Sequence, residues 1–474
     1  MVSNICLNPI FAHLDFWFVV SFFMRDSDKI IPYRKPPVSV KWCLLVISSF
    51  TILKSFNLFT LELSFTVVLL LKSNLISWII FLITVSLILV VVVSSMFPAL
   101  LPRTIGGLEN RLGVDPFDIG PWAYPLLIGN FVIFSLIILY FKNKLPMLFK
   151  KSINFIFNFE ISQAVSLLII VVLVGFYIVL NINQITNDSF DDDFHRVVKG
   201  WLESFSLTNF DAGLGYYAML ILETASMKIF GNYKVIPFMS SISVLIFTYL
   251  LTAAITKKRF AGILSLIIVL QSSVFNFFDT SVSYAYFWVS FYLLSLYLIY
   301  KRNIFSSIPY VLSIMSKPIT IFFLPMSFFF VYRSNMDTKK KKQLLAAYIL
   351  TAVLVGILIQ SNILGTKNET YSDRTFGVGQ LNSHKLVSGL NSIHSSLRLD
   401  GFVLLFLLPV VVGLFISSKK GYEHADSVLF LIFGILVTAP ILSGFTSLLN
   451  EPYRFIPLIV FFAIGVGILF SKRN

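Results

Sequence analysis

The stretch SLLIIVVLVGFYIVLNI, residues 166–182, carries no charge and no proline. It is one of many such runs, and they restrict the chain more than any other feature. A helix needs about 20 apolar residues to cross roughly 30 Å of hydrocarbon. In lipid every backbone N–H and C=O must be satisfied within the protein, which leaves helices or a closed barrel. The runs are continuous rather than alternating, so helices are selected. Composition agrees: 57% of the 474 residues are hydrophobic and 13% charged, where soluble domains carry roughly a quarter charged residues.

The expected fold is an all-α polytopic membrane protein of about fourteen transmembrane helices. The spans fall at 42–57, 58–72, 75–98, 121–141, 162–183, 235–255, 260–278, 282–300, 304–316, 319–332, 344–364, 401–417, 427–447 and 455–470. The short pairs 42–57 with 58–72, and 304–316 with 319–332, read as hairpins. The N-terminal MVSNICLNPIFAHLDFWFVVSFFM lacks a basic start and is broken by His13 and Asp15, so it reads as an interfacial helix rather than a cleavable signal.

The net charge of +14 raises the possibility of a nucleic-acid partner. Its placement argues against one. Basic residues cluster in short connections: 25–41, 142–151, 256–260, 301–302, 333–342, 417–420 and 471–474. All fall on one side of the span scheme, which the positive-inside rule assigns to the cytoplasm together with both termini. The other side receives the loops 99–120, 184–234, 365–400 and 448–454, with most of the acids. The two cysteines, Cys6 and Cys43, form no CxxC or zinc spacing.

The most unusual outer segment is NDSFDDDFHRVVKGW, residues 187–201. Phe194, Val197, Val198, Trp201, Leu202 and Phe205 recur at helical spacing, so an amphipathic surface helix is expected, lying along the membrane. Residues 215–231 are apolar but hold Glu223 and Lys228, which suits a surface or half-inserted helix. An aspartate run is commonly a solvated loop tip. It lacks the glycine and the downstream glutamate of an EF-hand. Adjacent carboxylates also serve as a general base or hold a divalent cation such as Mg or Mn. Cations share the same side. Lys317 interrupts two apolar runs, where a lysine is costly unless it snorkels or pairs. Tyr453 and Arg454 open the last span, and the 365–400 loop carries Arg374 and Arg398. Acid on one loop and cations on others suit an anionic lipid substrate.

The order of an apolar helix, then DDDFH, then GLGYYAMLILETASMKIFG, then a span ending in Lys257–Arg259, resembles the core of the GT-C glycosyltransferases. That superfamily includes protein mannosyltransferases and lipid A aminoarabinose transferases. MSKPITIFFLPM resembles the family's TKP segment with Ser316 in place of Thr, and EPYRFIPLIVFF resembles its late RYxxP region with Tyr and Arg exchanged. The resemblance covers about 160–474, giving a core of 156–474 behind extra membrane helices in 1–155. It implies transfer of a sugar from a polyprenyl-phosphate-linked donor to a glycan, lipid or protein acceptor on the extracytoplasmic face. It makes Asp191 the catalytic carboxylate, or with Asp192 the holder of a metal. On this reading His195, Arg196, Tyr216, Tyr217, Lys317, Arg374, Arg398, Tyr453 and Arg454 are expected at the substrate. A lipid-linked saccharide flippase, or a non-catalytic subunit of a membrane complex, are the alternatives.

Overall fold

The structure is a computed structural model describing residues 73–100, 115, 117–187, 189–206, 214–360, 383–422, 424–445 and 452–471. The expected spans 42–57 and 58–72 lie outside them. The described residues are helical, with no strand. In chain order the helices are α1 (Ser73–Met96), α2 (Ala123–Phe141), α3 (Met147–Asn158), α4 (Gln163–Thr186), α5 (Lys199–Ser204), α6 (Tyr217–Phe230), α7 (Val235–Thr256), α8 (Arg259–Leu270) and α9 (Ser273–Phe278). They continue with α10 (Phe287–Tyr300), α11 (Ser307–Ser316), α12 (Leu324–Arg333), α13 (Thr338–Gln360), α14 (Ser383–Leu397), α15 (Gly401–Lys419), α16 (Ala425–Phe445) and α17 (Ile456–Leu469). Seven stretches are long and apolar enough to cross a membrane: those of α1, α2, α4, α7, α15, α16 and α17.

Helix α17 is the axis of the packing. It contacts α7, α8, α15 and α16, and 78% of its span is buried. Gly467 makes the closest approach possible. A Cβ there would lie 2.3 Å from Thr252 Cγ2 and 2.5 Å from Ser265 Oγ. Ser265 in turn donates to the Ala463 carbonyl at 2.8 Å, tying α8 to α17. Small residues that let helix backbones meet are how apolar helices associate without a hydrophobic drive. Helix α2 is the opposite case, with only 11% of its span buried. Its Phe131 and Leu127, and Leu167 and Phe176 of α4, are exposed. Apolar faces of that extent are an association surface in water and an ordinary one in lipid. Helices α1 and α2, which the sequence groups with the N-terminal segment, pack on α15, where Phe81 stacks on Phe415 at 4.1 Å.

Two expectations change. The run 260–278 is two helices. Ser272 starts the second as its N-cap, accepting the Phe275 N–H at 3.1 Å, and its hydroxyl also donates to the Asp400 carboxylate. The amphipathic stripe at 194–205 packs on protein. Residues 194–198 form a π-turn leading into α5, and Phe194, Val198 and Leu202 are buried with Met219, Leu220, Val282, Ala285 and Phe287. The segment 304–333 breaks where expected, at Lys317–Pro318. A residue before proline is pushed out of the helical region, and Lys317 is extended, with φ −158° and ψ 115°.

At the lysine-rich end of the helices, Arg333 and Asp426 form an ion pair at 2.5 Å, and Arg333 also donates to Ser77 at 3.0 Å. At the other end, Asp279 pins the α9–α10 turn. Its Oδ2 accepts the Tyr177 hydroxyl of α4 at 2.6 Å, and its carbonyl accepts Ser241 Oγ of α7 at 2.7 Å. Burial raises the Asp279 carboxyl to about 7, partly offset by the Tyr177 bond. A raised carboxyl leaves full stability at low pH and erodes it as pH climbs toward the folded value. Wild type should therefore lose stability relative to Asp279→Asn between about pH 4 and pH 7, by on the order of 4 kcal/mol at most, with a constant difference above. Thermal unfolding of both proteins across that range reads the slope, and parallel curves would remove Asp279 as its source.

Candidate functional site

The chain between α4 and α6 is fastened before it reaches the aspartates. Lys234 is buried. Its Nζ donates to the carbonyls of Gln184 at 2.9 Å and Asn187 at 2.7 Å, capping the C-terminal end of α4 as cations do. It also lies 5.0 Å from the centre of the Phe190 ring. Asn232 adds a bond to the Ile185 carbonyl at 2.8 Å. Phe190 then stacks on Phe194 at 4.1 Å. Residues 189–194 thus leave α4 in a fixed direction.

That direction places Asp191 on the α9–α10 turn. Its Oδ1 accepts Ser283 Oγ at 2.6 Å and the Phe194 N–H at 2.9 Å, and its Oδ2 accepts Ser281 Oγ at 2.8 Å. Three donors converge on one carboxylate and fix its plane. An ionised carboxylate offers about four lone-pair positions, so about one remains for an incoming hydroxyl. Asp193 Oδ2 accepts the Tyr284 hydroxyl at 2.6 Å. Burial, then the bond to Asp193, raise the Tyr284 phenol above its ordinary range, so it stays a donor.

Tyr284 carries the site across to the cations. Its ring stacks on Tyr453 at 4.4 Å. Lys317 Nζ lies 4.0 Å from the Tyr453 ring centre and 5.9 Å from that of Tyr284, the cation–π geometry that stabilises a desolvated ammonium. Arg454 Nε donates to the Tyr453 hydroxyl at 3.3 Å. Gly215 closes the arrangement from the α5–α6 side, since a Cβ there would sit 2.2 Å from Pro318 Cγ.

Glu223 lies beneath this cluster on α6. It is completely buried, and neither carboxyl oxygen has a hydrogen-bond partner among the described residues. Burial raises its pKa well above the usual range, the charge of Asp191 adds to this, and Lys317 opposes it. Glu223 is therefore within electrostatic reach of both. A buried polar group without a partner costs about 1–3 kcal/mol.

The residues singled out in the sequence divide accordingly. Asp191, Lys317, Tyr453 and Arg454 come together. Asp192 does not join Asp191: its side chain is 91% exposed, 4.0 Å from the equally outward Arg196. Successive side chains on this turn point apart, and it is Asp193 that reaches Tyr284. His195 is exposed, edge-on to Phe194. Tyr216 and Tyr217 pack beside Trp201 and Phe205. Arg398 is half-buried in the turn after α14, and Arg374 lies outside the described residues. Asp191 and Asp192 do not fit a divalent cation: one is surrounded by N–H and O–H donors and the other faces away. Among the described residues no group of three or more His, Cys, Asp or Glu gathers as a metal site. Sequence reasoning missed Lys234, Ser281, Ser283 and Tyr284. The polar DTSVSY turn between two apolar runs was the signal for the last three.

Glu223→Met should raise the unfolding midpoint, by the equivalent of about 1–3 kcal/mol, because it removes an unsatisfied carboxyl at similar volume. Thermal unfolding in detergent measures this, and a lower midpoint would show that the carboxyl supports the fold.

No family model, curated protein or solved structure matches the chain.

Proposed function

We propose that the chain is a multi-pass membrane glycosyltransferase of the GT-C kind. In this reading about fourteen helices span the bilayer, both termini are cytoplasmic, and the Asp191 end faces outward. The enzyme moves a sugar from a polyprenyl-phosphate-linked donor to a glycan, lipid or protein hydroxyl. The observation that carries the reading is the α9–α10 turn: its Ser281 and Ser283 hold Asp191, and its Tyr284 stacks on Tyr453, over whose ring the buried Lys317 lies. Asp191 and Lys317 both lie at one end of helices long and apolar enough to cross a membrane.

The chemistry follows from those charges. Asp191 takes the proton of the acceptor hydroxyl as its oxygen bonds to the anomeric carbon, inverting it. The carbon–oxygen bond to phosphate breaks, and its electron pair leaves with the lipid phosphate. Lys317 and Arg454 bind that phosphate and offset its charge, which matters most where water is excluded. General-base catalysis is commonly worth about 10²–10⁴ in rate. Asp191→Asn should therefore lower transfer of labelled sugar from membrane lipid donors by about that factor, while Asp192→Asn stays near wild type. Comparable transfer by Asp191→Asn and wild type would end this assignment.

A further inference from the structure

At the opposite, lysine-rich end, α3 links α2 to α4, and none of its residues is buried. Its helical pattern sets Leu148, Phe149, Ile153, Phe155 and Ile156 on one arc, and Lys150, Lys151, Asn154 and Asn158 on the other. The polar arc is fastened down. Tyr140 donates to Asn154 Oδ1 at 3.0 Å and Lys150 to Asn143 Oδ1 at 2.9 Å, and Lys258 Nζ bonds the Phe157 carbonyl. The apolar arc is left outward, with Leu148 80% and Phe155 66% exposed. The flanking helices α2 and α4 are of membrane-crossing length, so α3 lies at the level where hydrocarbon gives way to headgroups.

Behind α3 is a cleft of about 240 Å³ whose lining includes Asn154, Asn158, Glu160, Lys257, Lys258 and Ser471. Ser471 Oγ is buried there without a hydrogen-bond partner. Lys258 is only 4% exposed. The acid in the lining, Glu160, accepts the Arg259 N–H at 3.0 Å. Lys142, Lys144, Lys150 and Lys151 add positive charge in the adjoining segment.

We propose that this cleft binds the phosphate of an anionic phospholipid, whose acyl chains lie along the apolar arc of α3 and the exposed Val165, Leu167 and Leu168 of α4. Lys257 and the Ser471 hydroxyl donate to the phosphate, satisfying a hydroxyl that has no partner among the described residues. The exposed apolar surface beside the cleft favours a lipid over a free anion, which needs no such surface. The inference is independent of the glycosyl-transfer reading.

The test uses full-length protein in detergent, with phosphatidylglycerol, phosphatidylcholine and inorganic phosphate as probes, read by native mass spectrometry and by the unfolding midpoint. Phosphatidylglycerol should be retained and raise the midpoint, and the other two should not. Lys257→Glu with Ser471→Ala should weaken that retention by about tenfold or more, without lowering the lipid-free midpoint, whereas Lys301→Glu should leave it intact. Equal protection by inorganic phosphate or by phosphatidylcholine would overturn the proposal. So would undiminished phosphatidylglycerol binding by the double variant.

Discussion

The carboxylate of Asp191, held by Ser281, Ser283 and the Phe194 N–H, fixes the first long connection to the α9–α10 turn. Much else at this end depends on that attachment. The Phe194 N–H that opens the π-turn at 194–198 donates to Asp191 Oδ1. The buried face of Phe194, Val198 and Leu202 is placed on Val282, Ala285 and Phe287 by it. Asp193 meets Tyr284 because Asp191 has already set the strand of chain between them. The turn is itself anchored from below, by Asp279 to α4 and α7.

The chain treats buried charge differently at its two ends. At the lysine-rich end Arg333 and Asp426 neutralise each other directly, an arrangement suited to holding helices together. At the Asp191 end the charges are near one another but unmatched. Lys317 lies over aromatic rings rather than against a carboxylate, and the buried Glu223 carboxyl has no hydrogen-bond partner among the described residues. Such an arrangement costs stability and leaves interactions available to a ligand, the usual compromise of functional sites.

The helical class, and seven helices long and apolar enough to cross a membrane, were legible from uninterrupted apolar runs, because length and hydrophobicity decide them. The break at Ser272 was not, because it depends on Asp400, 128 positions away. Asp191, Lys317 and Tyr453 were legible because a charge or aromatic pair at the edge of an apolar run is conspicuous. Their relative standing was not. Whether Asp192 or Asp193 turns inward depends on the direction in which Lys234 and Phe190 release the chain. Serines 281 and 283 are chemically ordinary in sequence and gain their role only when the loop arrives. The amphipathic stripe at 194–205 was readable as a stripe, but periodicity does not tell lipid from protein as its partner.

The docking of the first loop on the α9–α10 turn is the claim on which the site rests, and proximity in the folded chain tests it most directly. With Cys6 and Cys43 replaced by serine, the full-length protein carrying Asp191→Cys and Ser283→Cys should be bridged efficiently by the shortest bis-methanethiosulfonate reagent, since the native side chains meet at 2.6 Å. A Glu203→Cys and Ser283→Cys pair, with residue 203 on the exposed side of α5, should not. Equal bridging of both pairs, or none at 191 and 283, would contradict the account.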